Sequence, residues 1–91
     1  MYNTLFMSNK LEILKKRLIY RASYRGTKEM DILLSTFVNK YIDTFDEAHL
    51  FELEAFLNFE DEIIFNFYNN NIIKKKIDKN KIAELFKNFK I

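Results

Sequence analysis

Ninety-one residues with 48% apolar content make one domain with a thin core, and Gly 1, Pro 0 disfavours a sheet, whose turns need both. The absence of Cys excludes disulfides, thiolate nucleophiles and Cys-based zinc sites, and no apolar run is long enough to span a membrane. The net charge of +2 hides a polarised order: residues 1–40 carry +5, residues 41–71 carry −8, and residues 72–91 carry +5. Folded together, these segments either neutralise one another or present faces of opposite sign to a partner.

In chain order, residues 1–7 read as a loose lead-in. Asn9 and Glu12 fit an N-cap and its third helical position. A first helix then runs to Ala22 or Tyr24, with Leu11, Leu14, Leu18 and Ala22 on one stripe. Gly26 is expected to stop it as a left-handed residue. Thr27 caps a second helix, in which Met30, Leu33, Leu34, Phe37, Val38, Tyr41 and Ile42 repeat at helical spacing.

Thr44 and Glu47 form a capping-box pair for a third helix lined by Leu50, Leu53, Phe56 and Leu57. Asn58 and Asp61 repeat that logic for a short fourth, with Ile63, Ile64, Phe67 and Tyr68 inward. Asn69–Asn71 form a turn, and Ile72–Ile77 reads equally as loop or helical turn. Asp78 is expected to cap a last helix with Ile82, Leu85, Phe86 and Phe89 on its apolar side. The expected fold is all-α: one domain, residues 1–91, as a compact five-helix bundle with short connections.

Candidate chemistry is sparse. His49 is the only His, and among Glu47, Glu52 and Glu54 it reads as a solvated helix-surface residue rather than a metal ligand. Asp46 with Glu47, and Glu60, Asp61 and Glu62, sit at expected helix starts, where the backbone dipole favours negative charge. One Gly permits neither a P-loop nor a dinucleotide turn. Ser8, Ser23 and Ser35 have no signature of activation. An enzyme is therefore not expected.

What remains is Arg17–Leu34, reading R-L-I-Y-R-A-S-Y-R-G-T-K-E-M-D-I-L-L. Arg17, Arg21 and Arg25 are four apart and lie close together if the first helix extends that far, with Tyr20 and Tyr24 beside them. Arg and Tyr are enriched at protein interfaces. The alternative is a solvated basic face followed by a helix cap.

This segment resembles the signature of the succinate dehydrogenase assembly factor 2 family, also called the bacterial FAD assembly factor family. Its core, R-G-x-x-E, stands here as Arg25, Gly26, Thr27, Lys28 and Glu29, with Arg21 before it and Asp31, Leu33 and Leu34 after it. The acid-rich third segment, short aromatic helix and basic tail continue the likeness. Family members usually carry Trp near the end of the aromatic helix, where this chain has Phe67 and so no indole N–H.

The resemblance implies a factor that binds the flavoprotein subunit of succinate dehydrogenase, or of the related fumarate reductase, and promotes covalent attachment of FAD to a His of that subunit. It implies a partner-binding site at Arg17, Arg21, Tyr24, Arg25, Gly26, Glu29 and Asp31, with Gly26 and Glu29 matching the essential family positions. Arg21 and Arg25 are expected to meet partner carboxylates or carbonyls. Glu29 either accepts from the partner or holds Arg25. FAD is expected to be the partner's cofactor, with none stably bound here, and the free chain is expected to be a monomer in the bacterial cytosol. Two rivals from the residues alone are a small nucleic-acid binder, suggested by the Arg stripe and Lys74–Lys76, and a self-associating helical module.

Overall fold

The computed structural model describes residues 2–91, with side chains described from Lys10 onward. Five α-helices follow in order: α1 (Tyr2–Ser23), α2 (Lys28–Tyr41), α3 (Glu47–Leu57), α4 (Asp61–Asn70) and α5 (Lys81–Lys87). Single 3-10 turns at Ile42–Thr44 and Ile77–Lys79 precede α3 and α5, and no strand occurs among the described residues. The all-α five-helix expectation holds.

The apolar stripes read from the sequence are the ones that pack. Leu18, Ala22, Leu34, Phe37, Val38, Leu53, Phe56, Ile64 and Phe86 are fully buried. Phe86 of α5 ties the bundle together. Its ring lies 5.1 Å edge-on from Phe37 of α2, 5.3 Å from Phe56 of α3 and 4.7 Å from Tyr68 of α4. Each such aromatic pair adds about 0.5–1.5 kcal/mol beyond area burial, so a seven-residue helix can hold three others in register. Phe67 is buried, with the Lys87 ammonium 4.9 Å from its ring centre.

Helix boundaries differ from the expectations, each for a local reason. The backbone is helical from Tyr2, so residues 2–7 are not a lead-in and Asn9 lies inside α1 rather than capping it. Met1 lies outside the described residues. The α1 end is set near Ser23, whose hydroxyl donates to Ile19 O at 2.8 Å. Gly26 is not left-handed: the only positive φ values among the described residues belong to Asn71, Lys75 and Lys76. Asn71, not a glycine, ends α4 in the left-handed conformation.

The cap of α2 is Thr27, whose hydroxyl accepts from Met30 N–H at 3.2 Å. For α3 the cap is Asp46, accepting from His49 N–H at 2.8 Å, while Thr44 is spent in the 3-10 turn. Asn58 closes α3 rather than opening α4, whose N-cap is Glu60 with no side-chain capping bond. For α5 the cap is Asn80 and not Asp78; its Oδ1 accepts from Ile82 and Ala83 N–H at 2.9 and 3.0 Å.

The polarised charges meet within the chain. Basic α1 lies against acidic α3, where Arg17 pairs with Glu54 at 2.9 Å and Arg21 donates to the Asn58 side chain. Lys15 reaches Asp43 at 3.7 Å. These are partly exposed contacts, worth about 0–1 kcal/mol each, and they orient the helices more than they stabilise them.

Candidate functional site

The segment between α1 and α2, residues 24–27, has no helical ladder to hold its amides. Carboxylates from two other places take that role. Asp31, one turn into α2, accepts from the Arg25 backbone N–H. Asp61, the first residue of α4, accepts from Gly26 N–H through Oδ2 at 2.6 Å.

The same Asp61 takes the Arg25 Nε–H through Oδ1 at 2.8 Å. The rest of the guanidinium donates to Leu57 O and Phe59 O, both at 3.1 Å, where α3 has ended and its carbonyls lack helical partners. The Arg25 side chain is only 10% exposed. One planar fork therefore ties the α1–α2 corner to the α3–α4 corner, a geometry Lys could not reproduce.

This arrangement sorts the sequence-derived candidates. Arg25, Gly26 and Asp31 form the corner itself. Arg21 lies alongside on α1 and is engaged with Asn58, and Arg17 sits one turn further back on Glu54. Each arginine of the stripe thus has a partner within the chain, and only the Arg25 guanidinium is engaged through all its nitrogens. Tyr24 points to solvent at 69% exposure, its ring 4.4 Å from that of Tyr20. Glu29 is exposed and has no hydrogen bond or ion pair among the described residues. Of its two envisaged roles, holding Arg25 is filled by Asp61.

Beside the corner lies an open cleft of about 440 Å³, lined by Thr27, Glu29, Met30, Asp61, Glu62 and Phe65. Its floor is apolar and its rim acidic. With Arg25 neutralised by Asp61, the outward charge here is negative, the opposite of what the Arg-rich sequence suggests. Asp61 is the residue that sequence reading missed. It stands 35 positions from Gly26 and read only as a helix-start acid, which it also is, in the first turn of α4.

No group of three or more His, Cys, Asp or Glu side chains among the described residues is arranged to hold a metal ion. No helix among them is long and apolar enough to cross a membrane. The fold and corner define a small all-helical module whose most elaborated surface is a tied, solvent-facing turn.

The family model described as flavinator of succinate dehydrogenase (Sdh5) matches residues 16–90, and the chain belongs to that family. The match covers the whole corner and all five helices apart from the start of α1. A relative from Scheffersomyces stipitis, named succinate dehydrogenase assembly factor 2, mitochondrial, is 41% identical over 61 residues, covering 67% of this chain and 41% of the relative. The Drosophila ananassae assembly factor 2-B is 42% identical over 48 residues, covering 53% of this chain and 29% of the relative. The Drosophila virilis protein is 58% identical over 33 residues, covering 36% and 21%.

The chain thus spans less than half the length of these curated relatives. No solved structure matches it. Each of these relatives is named as mitochondrial, which overturns the expectation of a bacterial cytosolic protein. That expectation leaned on the character of the first ten residues, a region that says little about where related proteins reside.

Proposed function

We propose that this chain binds the flavoprotein subunit of succinate dehydrogenase and promotes covalent attachment of FAD to it, with the flavoprotein supplying the His and the flavin site. The observation that carries the reading is the corner. Its backbone amides are fixed by Asp31 and Asp61 and its Arg25 side chain by the α3–α4 junction, while Glu29 stands beside it without a partner among the described residues, inside the stretch that matches the family.

Flavinylation needs the flavin 8α-methyl carbon and a His nitrogen held in attack geometry. A helper that binds only the competent arrangement of the flavoprotein raises its population, and the barrier falls through orientation alone. A pre-fixed corner suits this role, because little entropy is lost when it docks. Glu29 and the acidic cleft rim call for a cationic contact on the partner. FAD itself belongs to the partner in this reading, since Glu29 and Glu62 would repel its pyrophosphate at the corner cleft.

The test is co-expression with the flavoprotein subunit, reading covalent FAD by in-gel fluorescence after denaturation. The intact chain should raise covalent FAD, while folded Glu29→Ala and Gly26→Arg variants should not. If the intact chain changes nothing with both proteins folded and FAD in excess, the proposal is wrong.

A further inference from the structure

We propose that Asp61 is a positioning residue for partner binding, and that position 26 is glycine because a Cβ there would crowd the Asp61 carboxylate. The inference rests on the functional reading above and deepens it.

Backbone conformation does not explain the glycine. Gly26 has no positive φ, so other residues could adopt its angles. The obstacle is steric: a Cβ built at position 26 would sit 3.0 Å from Asp61 Oδ2, inside ordinary van der Waals contact. A free carboxylate would swing aside. This one is held at both oxygens, by Arg25 Nε–H at 2.8 Å and by Gly26 N–H at 2.6 Å. Moving it loosens both bonds, and with them the guanidinium fork on Leu57 O and Phe59 O.

The corner leads directly into the first turn of α2, where Glu29 stands. Asp31, in that same turn, holds Arg25 N–H from the other side. Two carboxylates thus fix successive amides of the turn, and Asp61 is the one that crosses from another helix. Its effect on a partner passes through Gly26 and Glu29, without its own contact.

Two explanations of Gly26 make opposite predictions. If the glycine makes room for Asp61, then removing Asp61 removes the need for glycine. If the glycine lets a partner backbone approach, its replacement costs the same whether Asp61 is present or not. A double-mutant cycle separates them.

Affinity for the FAD-loaded flavoprotein subunit would be measured by calorimetry for the wild-type chain, Gly26→Ala, Asp61→Ala and the double variant. Circular dichroism would fix a temperature at which all four are folded, so that lost stability does not pass for lost binding. Each single variant should weaken binding by roughly tenfold or more, the scale of one good polar contact. The double variant should bind no worse than Asp61→Ala. Asp61→Glu serves as the conservative variant, and it should recover part of the loss by keeping two acceptor oxygens.

The inference is overturned if folded Asp61→Ala binds like the wild type, or if Gly26→Ala costs the same factor in both backgrounds. Either result leaves the functional reading standing. Failure of the wild-type chain to bind the flavoprotein would overturn that reading, and this inference falls with it.

Discussion

Replacing Arg25 by Ala asks whether this side chain belongs to the fold or to a partner. Its guanidinium donates to Asp61 Oδ1 at 2.8 Å and to Leu57 O and Phe59 O at 3.1 Å. Breaking a buried ion pair from one side costs about 3–5 kcal/mol, because a charge is left without compensation. Arg25 is 10% exposed, but the Asp61 side chain is 26% exposed, so water can reach the abandoned carboxylate. The lower end, about 3 kcal/mol, is the expected loss.

Domains of this size have roughly 5–15 kcal/mol of stability in all, and each kcal/mol moves Tm by about 4–8 °C. Arg25→Ala should therefore lower Tm by about 12–24 °C. Arg25→Lys keeps the charge without the fork and should lose about half as much. Urea unfolding followed by circular dichroism measures this, with the midpoint falling and the slope unchanged. Glu29→Ala supplies the contrast: Glu29 has no partner among the described residues, so the variant's stability should stay within about 0.5 kcal/mol of the wild type. Were Arg25→Ala to stay in that same range, the guanidinium would have to face solvent, and the account of the corner as internally tied would fail.

Asn80→Ala should cost about 2 kcal/mol in urea unfolding, because it removes the α5 cap and strands Glu52, whose backbone and side-chain oxygens both accept from Asn80 Nδ2 at 3.0 Å. Asp78→Ala, at the position the sequence favoured, should cost no more than about 0.5 kcal/mol; equal losses at the two positions would contradict the cap assignment. Hydrogen bonds from the His49 backbone N–H and then its side chain hold the Asp46 carboxyl below the usual carboxylate range. A depressed folded value means stability that is present above the unfolded pKa of about 4 and is lost as pH falls through the lower folded value. Acid titration of stability below about pH 4 should therefore be shallower in Asp46→Asn, which still caps but does not titrate; identical acid limbs would argue against the linkage. Arg17→Ala removes a pair whose side chains are 56% and 30% exposed, so a thermal melt should show a loss under about 1 kcal/mol, and a larger one would make the α1–α3 brace more than an orienting contact.

Much of the fold was legible before any coordinates. The α2 stripe from Met30 to Ile42 repeats at helical spacing, and nearly all of it is buried. Such periodicity is a local property, written by which residues can share one face of a helix. The near absence of Gly and Pro disfavoured sheets for an equally local reason. The R-G-x-x-E corner was legible as a pattern, and the family match confirms membership.

Helix ends were less legible, because each connection offers several residues able to cap. Thr44 or Asp46, Asn58 or Glu60, and Asp78 or Asn80 are alike in local chemistry. The choice is made by where the chain must bend to bury its apolar stripe, and for Asn80 by Glu52 on α3 waiting for its amide. The corner was hidden for the same reason at longer range. An arginine stripe reads identically whether its partners lie on another protein or on the far side of the same one. Only the packing of the α3–α4 junction onto the end of α1 delivers Asp61 and two free carbonyls to Arg25, turning a basic sequence into an outward acidic site. Spacing along one helix determines a face, but a pairing 36 residues apart exists only once tertiary packing has brought the two ends together.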